Sequence, residues 1–177
     1  YKNSVQHCDL TNIPFVTIDG EDSKDFDDAV WSECNKKKTK IMIAIADVSF
    51  YVEKGDLIDI EAKKRGNSFY FPNKVIPMLP EELSNNLCSL VPKKKRKSIV
   101  LEIDLEDGKV KKFKFYRAEI KSIARLTYQE AENIFLEKNK NNKLFPVILN
   151  LFNTFKVLQE NSKKRNKISF DPDEYII

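Results

Sequence analysis

Between two apolar runs, Phe15-Val-Thr-Ile18 and Ala29-Val-Trp31, the chain packs six carboxylates into the ten residues from Asp19 to Asp28. Asp19, Glu21, Asp22, Asp25, Asp27 and Asp28 are offset only by Lys24, a local charge of −5 in a chain of net charge +4. The flanking runs have the composition of core strands, so a fold must carry this knot at a strand connection, on the rim of its core. Carboxylates this close raise one another's pKa and oppose folding unless a cation neutralises them. Straight extended backbone would aim Asp25 and Asp27 to one side and Asp28 to the other. A turning loop, which Gly20 permits, brings carboxylates in from several directions. Two readings fit: a solvated acidic loop, or an oxygen-only site for a hard divalent cation, Mg²⁺ or Mn²⁺. An EF-hand does not fit, because the run D-x-D-x-D-G and a glutamate at the twelfth loop position are both missing.

With the loop set aside, the remaining charge is +9, a basic body suited to a polyanion. Acidic knot and basic body together suggest metal-assisted chemistry on a phosphodiester. The length of 177 residues suffices for one core, and 41% hydrophobic with 33% charged residues is a globular composition. No run of about 18 apolar residues suggests a membrane span. The chain starts at Tyr1 rather than Met, and is expected to be an excerpt from a longer protein. Cys8, Cys34 and Cys88 are odd in number and lack a C-x-x-C spacing, so reduced thiols, no disulfide partner and a cytoplasmic setting are expected. His7 is the only histidine, which leaves Ser-His or Cys-His chemistry without a partner unless His7 supplies it.

The pattern predicts an α+β fold, a largely antiparallel sheet flanked by helices. Strands are expected at Phe15–Ile18, Ala29–Trp31 and Ile41–Ala46, the last buried on both faces because it is continuously apolar. Asp56 should cap a helix over 57–65 that ends at Gly66. Residues 67–71 read as extended, and Pro80-Glu-Glu-Leu83 as a helix start. Ile99, Leu101, Ile103 and Leu105 alternate on one strand face, Asp107-Gly108 is a hairpin turn, and residues 110–120 return with Phe113 and Phe115 facing one way. Thr127-Tyr-Gln-Glu130 is a capping box for a helix to about Glu137. The stripe Leu144, Val147, Ile148, Leu151, Phe152, Phe155, Leu158 has helical period and reads as core packing.

Other candidates have duller alternatives beside them. Lys93-Lys-Lys-Arg-Lys97 reads as a solvated loop before it reads as a phosphate contact. Lys163-Lys-Arg165 suits a helix C-terminus as well as a phosphate contact. Asp47, at the end of an apolar strand, is a candidate partner for the acidic loop, and Tyr70 on pattern alone reads as a core aromatic.

The run Phe15-Val-Thr-Ile-Asp-Gly-Glu-Asp-Ser-Lys-Asp-Phe-Asp-Asp-Ala-Val30 resembles the opening of the catalytic, RNB-type domain of the ribonuclease II/ribonuclease R family. The likeness continues in Ile45-Ala-Asp-Val-Ser49, Arg65-Gly-Asn-Ser-Phe-Tyr-Phe-Pro72, Val75-Ile-Pro-Met-Leu-Pro80 and Leu83-Ser-Asn-Asn-Leu-Cys-Ser-Leu90. Weaker echoes follow at Lys114-Phe-Tyr116, Ala124-Arg-Leu-Thr-Tyr128 and Ile168-Ser-Phe170. Ordered motifs at matching gaps are more specific than any one alone. The ribonuclease R branch fits best, and the likeness runs from about Asp9 through the whole of 1–177 as the first part of that domain. The resemblance implies 3′-to-5′ hydrolysis of single-stranded RNA to nucleoside 5′-monophosphates, dependent on Mg²⁺ (Mn²⁺ as a substitute). By motif, Asp19, Asp25, Asp27 and Asp28 match the four aspartates of the family's metal centre, and Asp27 the one most critical to cleavage. Tyr70 matches a tyrosine that stacks on nucleotides, while Arg65 and Asn67 fall in a motif that touches RNA or shapes the fold. An arginine-containing stretch and flanking RNA-binding domains expected in relatives have no counterpart here, so the residues alone are expected to be inactive within an active parent. The competing expectation is a catalytically silent RNA-binding or interaction module of the same fold.

Overall fold

Asp107 and Gly108 both adopt positive φ (48° and 72°), the twist a two-residue turn needs between strands β7 (Lys95–Glu106) and β8 (Lys109–Lys121). Gly108 is required for a second reason. Asn161 donates its Nδ2–H to the Gly108 carbonyl at 2.7 Å and occupies the space a Cβ would need. The predicted hairpin thus also seats the last helix.

The computed structural model describes residues 6–35, 37–71, 74–165 and 167. Seven strands form one sheet, with the order β1, β8, β7, β4, β3, β2, β9. The remaining members are β1 (Cys8–Asp9), β2 (Val16–Asp19), β3 (Asp28–Asn35), β4 (Lys38–Ala46) and β9 (Ala124–Thr127). All pairings are antiparallel except β1 with β8 and β2 with β9. A separate two-stranded ribbon pairs β5 (Phe69–Phe71) with β6 (Lys74–Ile76). The mixed, largely antiparallel architecture read from the sequence is therefore the observed one.

Helix boundaries follow their caps. The Asp56 carboxylate accepts from Asp59 N–H at 2.7 Å to start α1 (Leu57–Arg65), and Gly66 at φ 77° ends it. Thr127 and Glu130 form the reciprocal capping box of α2 (Tyr128–Glu137). After a polar break comes α3 (Phe145–Lys164), with proline in its first turn. The Pro80 segment forms a single π-type turn over Glu82–Leu87 rather than an α-helix.

The sheet buries two cores, one per face. On one face Phe15, Ala29, Met42, Ala44, Val100, Ala118 and Ile120 pack with Leu83, Cys88 and Leu90 from the segment beyond the ribbon. On the other, Val16 and Leu126 pack beneath Ala131 of α2 and Val147 and Ile148 of α3.

Three expectations are corrected. Ile45 is 46% exposed, so β4 is buried on both faces only towards Ile41 and not at its far end: α2 and α3 cover the β2, β3 and β9 half of their face and leave Ile45 and Ile99 open. In the first half of β7 the alternation is inverted in burial, with Ser98, Val100 and Glu102 turned inward and Ile99 exposed, whereas Leu105, beyond a register shift, is buried as expected. The α3 stripe is core only in its first half, since Phe155 and Leu158 are exposed.

Candidate functional site

β2 ends at Asp19 and β3 begins at Asp28, so the acidic loop spans the mouth between two neighbouring strands. Its two halves are held from different sides. On the first, Arg125 of β9, whose register puts it opposite Thr17, donates Nη2–H to the carbonyls of Gly20 (2.6 Å) and Glu21 (2.7 Å). Its guanidinium also lies 5.5 Å from the Phe26 ring. On the second, Ser89 Oγ accepts from Phe26 N–H and donates to the Lys24 carbonyl, both at 3.1 Å. Leu90 N–H donates to the Phe26 carbonyl (2.7 Å) and Ala46 N–H to the Asp27 carbonyl (2.8 Å).

The four singled-out aspartates share one electrostatic neighbourhood. Asp19 is partly buried, and its Oδ2 is shut from solvent with no hydrogen-bond partner. Burial raises its pKa most, repulsion from Asp28, Asp27 and Asp25 adds to that, and Arg125 partly offsets it. Asp28 is raised as well, first by burial and then by Asp27. Asp25 and Asp27 are exposed at the rim. Among the described residues, no three His, Cys, Asp or Glu side chains are grouped closely enough to hold a metal ion by themselves. The site is thus a cluster of acid that repels itself, with one buried oxygen unsatisfied.

The remaining candidates lie elsewhere. Tyr70 sits on β5, 69% exposed beside Phe69 and Phe71, so the core-aromatic reading is excluded. Arg65 donates Nη1–H to the Pro77 carbonyl (2.7 Å) and pairs with Glu61 (3.2 Å), tying α1 to the chain after β6; Asn67 is exposed. Asp47 is fully buried, but it pairs with Arg117 (3.1 Å) and accepts from Ser49 Oγ (2.6 Å), which pins a 3-10 turn to β8 and corrects its assignment to the acidic loop. The basic run is a solvated turn only at Lys93 and Lys94: Lys95 and Lys97 open β7 and pair with Glu119, and Arg96 donates to the Ser89 carbonyl (2.9 Å). Lys163 and Lys164 lie in the last turn of α3. Cys8, Cys34 and Cys88 are all unpaired, and the Ile168–Phe170 echo and Pro72 fall outside the described residues.

Sequence reasoning missed Arg125 and Ser89. Each lies inside a motif that resembled the family, yet neither has a local pattern that marks it. Their partners are over sixty residues away, reached through the parallel β2–β9 pairing and the turn after Pro80.

The chain is similar to known proteins over most of its length. It is 44% identical over 174 residues to ribonuclease R of Escherichia coli (strain K12), which covers 94% of this chain and 21% of that protein. Among solved structures, Mycoplasma genitalium RNase R in complex with ribose methylated single-stranded RNA superposes with a TM-score of 0.85 at 38% identity, covering 92% of this chain and 26% of that one. A more distant likeness, yeast Ssd1, described as a pseudonuclease, shares the fold at TM-score 0.73 and 16% identity over 91% of this chain and 20% of that one. The chain therefore spans about a fifth of the length of the curated relative it matches. The family model for the RNB domain matches residues 7–177, and the chain belongs to the RNB domain family.

Proposed function

We propose that the protein carrying this chain is a divalent-metal-dependent exoribonuclease that degrades single-stranded RNA from its 3′ end, releasing nucleoside 5′-monophosphates. In this reading residues 1–177 are part of its catalytic domain, flanked in the parent by RNA-binding domains, and the enzyme works in the reducing cytoplasm. The observation that carries the proposal is the Asp19 carboxyl, with a buried oxygen lacking any partner and a pKa raised first by burial and then by Asp28 and Asp27. Such a group calls for a cation.

The donor set fits Mg²⁺ or Mn²⁺. It is all oxygen, and Mg²⁺ commonly takes one or two carboxylates and completes its shell with water and substrate phosphate. Asp19 and Asp28 would hold it from the strand ends, and Asp25 and Asp27 from the rim. Bound there, the cation supplies charge neutralisation and Lewis-acid polarisation of a phosphodiester. Arg125 keeps the first half of the loop against β9, so that the carboxylates stay together despite their repulsion. Asp27, exposed at the mouth, is the group assigned to the reacting phosphate rather than to the fold. Tyr70, free on its ribbon, offers a sequence-tolerant stacking face for RNA bases.

The activity is assigned to the full-length protein, given the share of its relatives that the chain covers. One reading competes. A silent RNA-binding module is favoured by the absence, among the described residues, of a closed ligand group, and fold alone does not decide function. Incubating the full-length protein with 5′-labelled single-stranded RNA and Mg²⁺, beside its Asp27→Asn variant, separates the two. The nuclease yields a ladder shortening from the 3′ end, and the variant loses orders of magnitude in turnover while its RNA affinity stays within about threefold. Intact RNA in both lanes with binding retained would establish the silent module.

A further inference from the structure

Four consecutive peptide planes in the acidic loop are pinned from outside it. Ser89 Oγ holds two: the plane between Lys24 and Asp25, through the Lys24 carbonyl, and the plane between Asp25 and Phe26, through the Phe26 N–H. Leu90 N–H holds the next and Ala46 N–H the one after, at Asp27. Because the two planes that bound a residue set its φ and ψ, the Ser89 hydroxyl sets the direction in which the Asp25 Cα–Cβ bond leaves the backbone. Asp25 is exposed, so no packing does this instead.

A hydroxyl is suited to the task, since it donates and accepts at once. Ser89 is 0% exposed and is itself fixed. Its carbonyl accepts from Arg96 Nε–H (2.9 Å), and the Leu90 carbonyl accepts from the buried Ser122 hydroxyl (2.7 Å). The brace is thus rooted in β7 and in the turn between β8 and β9, far along the chain from the loop it holds.

We infer that Ser89 is a positioning residue for the aspartate centre, holding Asp25 in the orientation that receives the divalent cation. The inference rests on the proposed function and deepens it. Removing the hydroxyl leaves the Lys24 carbonyl and Phe26 N–H without a partner and lets the rim of the loop swing away under its own repulsion.

The test uses the full-length protein, its Ser89→Ala variant and a control, Ser32→Ala. Ser32 is equally buried, lies on β3 and pairs with Thr154 of α3 (3.0 Å), so its loss is the same chemical change away from the loop. Mn²⁺ binding is read directly from the electron paramagnetic resonance signal of the free ion, and turnover on single-stranded RNA is followed as a function of Mn²⁺. Ser89→Ala is expected to weaken Mn²⁺ binding about fivefold or more and to lower kcat about tenfold at limiting Mn²⁺, with recovery as Mn²⁺ rises. RNA affinity in EDTA should stay within about twofold, and Ser32→Ala should leave Mn²⁺ binding at the wild-type value while losing comparable thermal stability. Wild-type Mn²⁺ affinity in Ser89→Ala, or equal losses in both variants, would overturn the inference alone. A wild-type protein that neither binds Mn²⁺ nor cleaves RNA would overturn the functional reading and this inference with it.

Discussion

At the scale of single residues, Asp19 and Asp28 are held against their preference. Both carboxyls are raised by burial first and by like charge second. A carboxyl raised in the folded state favours folding while protonated, below its unfolded value, and that contribution is lost as pH rises through the folded value. In EDTA, then, the melting temperature should fall as pH climbs from about 4 through the raised range. Asp28→Asn should flatten that slope and raise the neutral-pH melting temperature by roughly 2–4 °C. Added Mn²⁺ should stabilise the wild type more than the variant, because a cation binds only the folded arrangement. Calorimetric scans across pH, with and without Mn²⁺, check all three. A variant no more stable than wild type in EDTA would mean that the loop relaxes its repulsion by moving.

At the scale of elements, the seam across β4, β7 and β8 carries a buried charge. Glu102 is 7% exposed. Burial works to raise its pKa, but hydrogen bonds from Lys40 (2.7 Å) and Tyr116 (2.8 Å) and the Lys114 ammonium (3.1 Å) outweigh it and bring the carboxyl down to about 2. The Tyr116 hydroxyl is raised in turn, by burial and by its bond to Glu102. A depressed carboxyl stabilises above its unfolded value and loses that as pH falls through the folded one, so this contribution should fade between about 4.5 and 2. Discounted for its half-exposed lysines, Glu102→Gln should cost on the order of 1–2 kcal/mol at pH 7 and remove that acid dependence, read by urea unfolding across pH. This seam was not legible in the sequence. Ile99, Leu101, Ile103 and Leu105 advertised an inner face by alternation, yet Glu102 lies inward because two ammonium groups and a tyrosine hydroxyl reach it from neighbouring strands. What local chemistry dictates was readable: the Asp56 and Thr127 caps, Gly66, and the Asp107-Gly108 turn all stand where predicted. The clustering of the four aspartates was readable for the same reason, as neighbours in sequence. Arg125 and Ser89 were not, because each acts on backbone more than sixty residues away.

At the scale of the whole molecule, the acidic loop belongs to the main sheet and Tyr70 to a ribbon outside it. The Tyr70 side chain makes no hydrogen bond or ring contact among the described residues and is 69% exposed, so its loss should leave the fold intact. In the full-length protein Tyr70→Ala is expected to weaken single-stranded RNA binding by about 1–2 kcal/mol, roughly five- to thirty-fold, with the melting temperature unchanged within about 1 °C. Fluorescence anisotropy on labelled RNA, beside a thermal melt, checks both. A drop in melting temperature without loss of affinity would make the ring structural.

The parallel pairing of β2 with β9 also sets an order of assembly. β2 is made early, but one of its two edges and the arginine that steadies its loop come from residues 124–127. Contacts that distant form late, because the entropy of closing the intervening chain is spent before any contact repays it. During synthesis, a nascent chain emerging from the ribosome therefore carries all four aspartates long before it has the strand that gathers them.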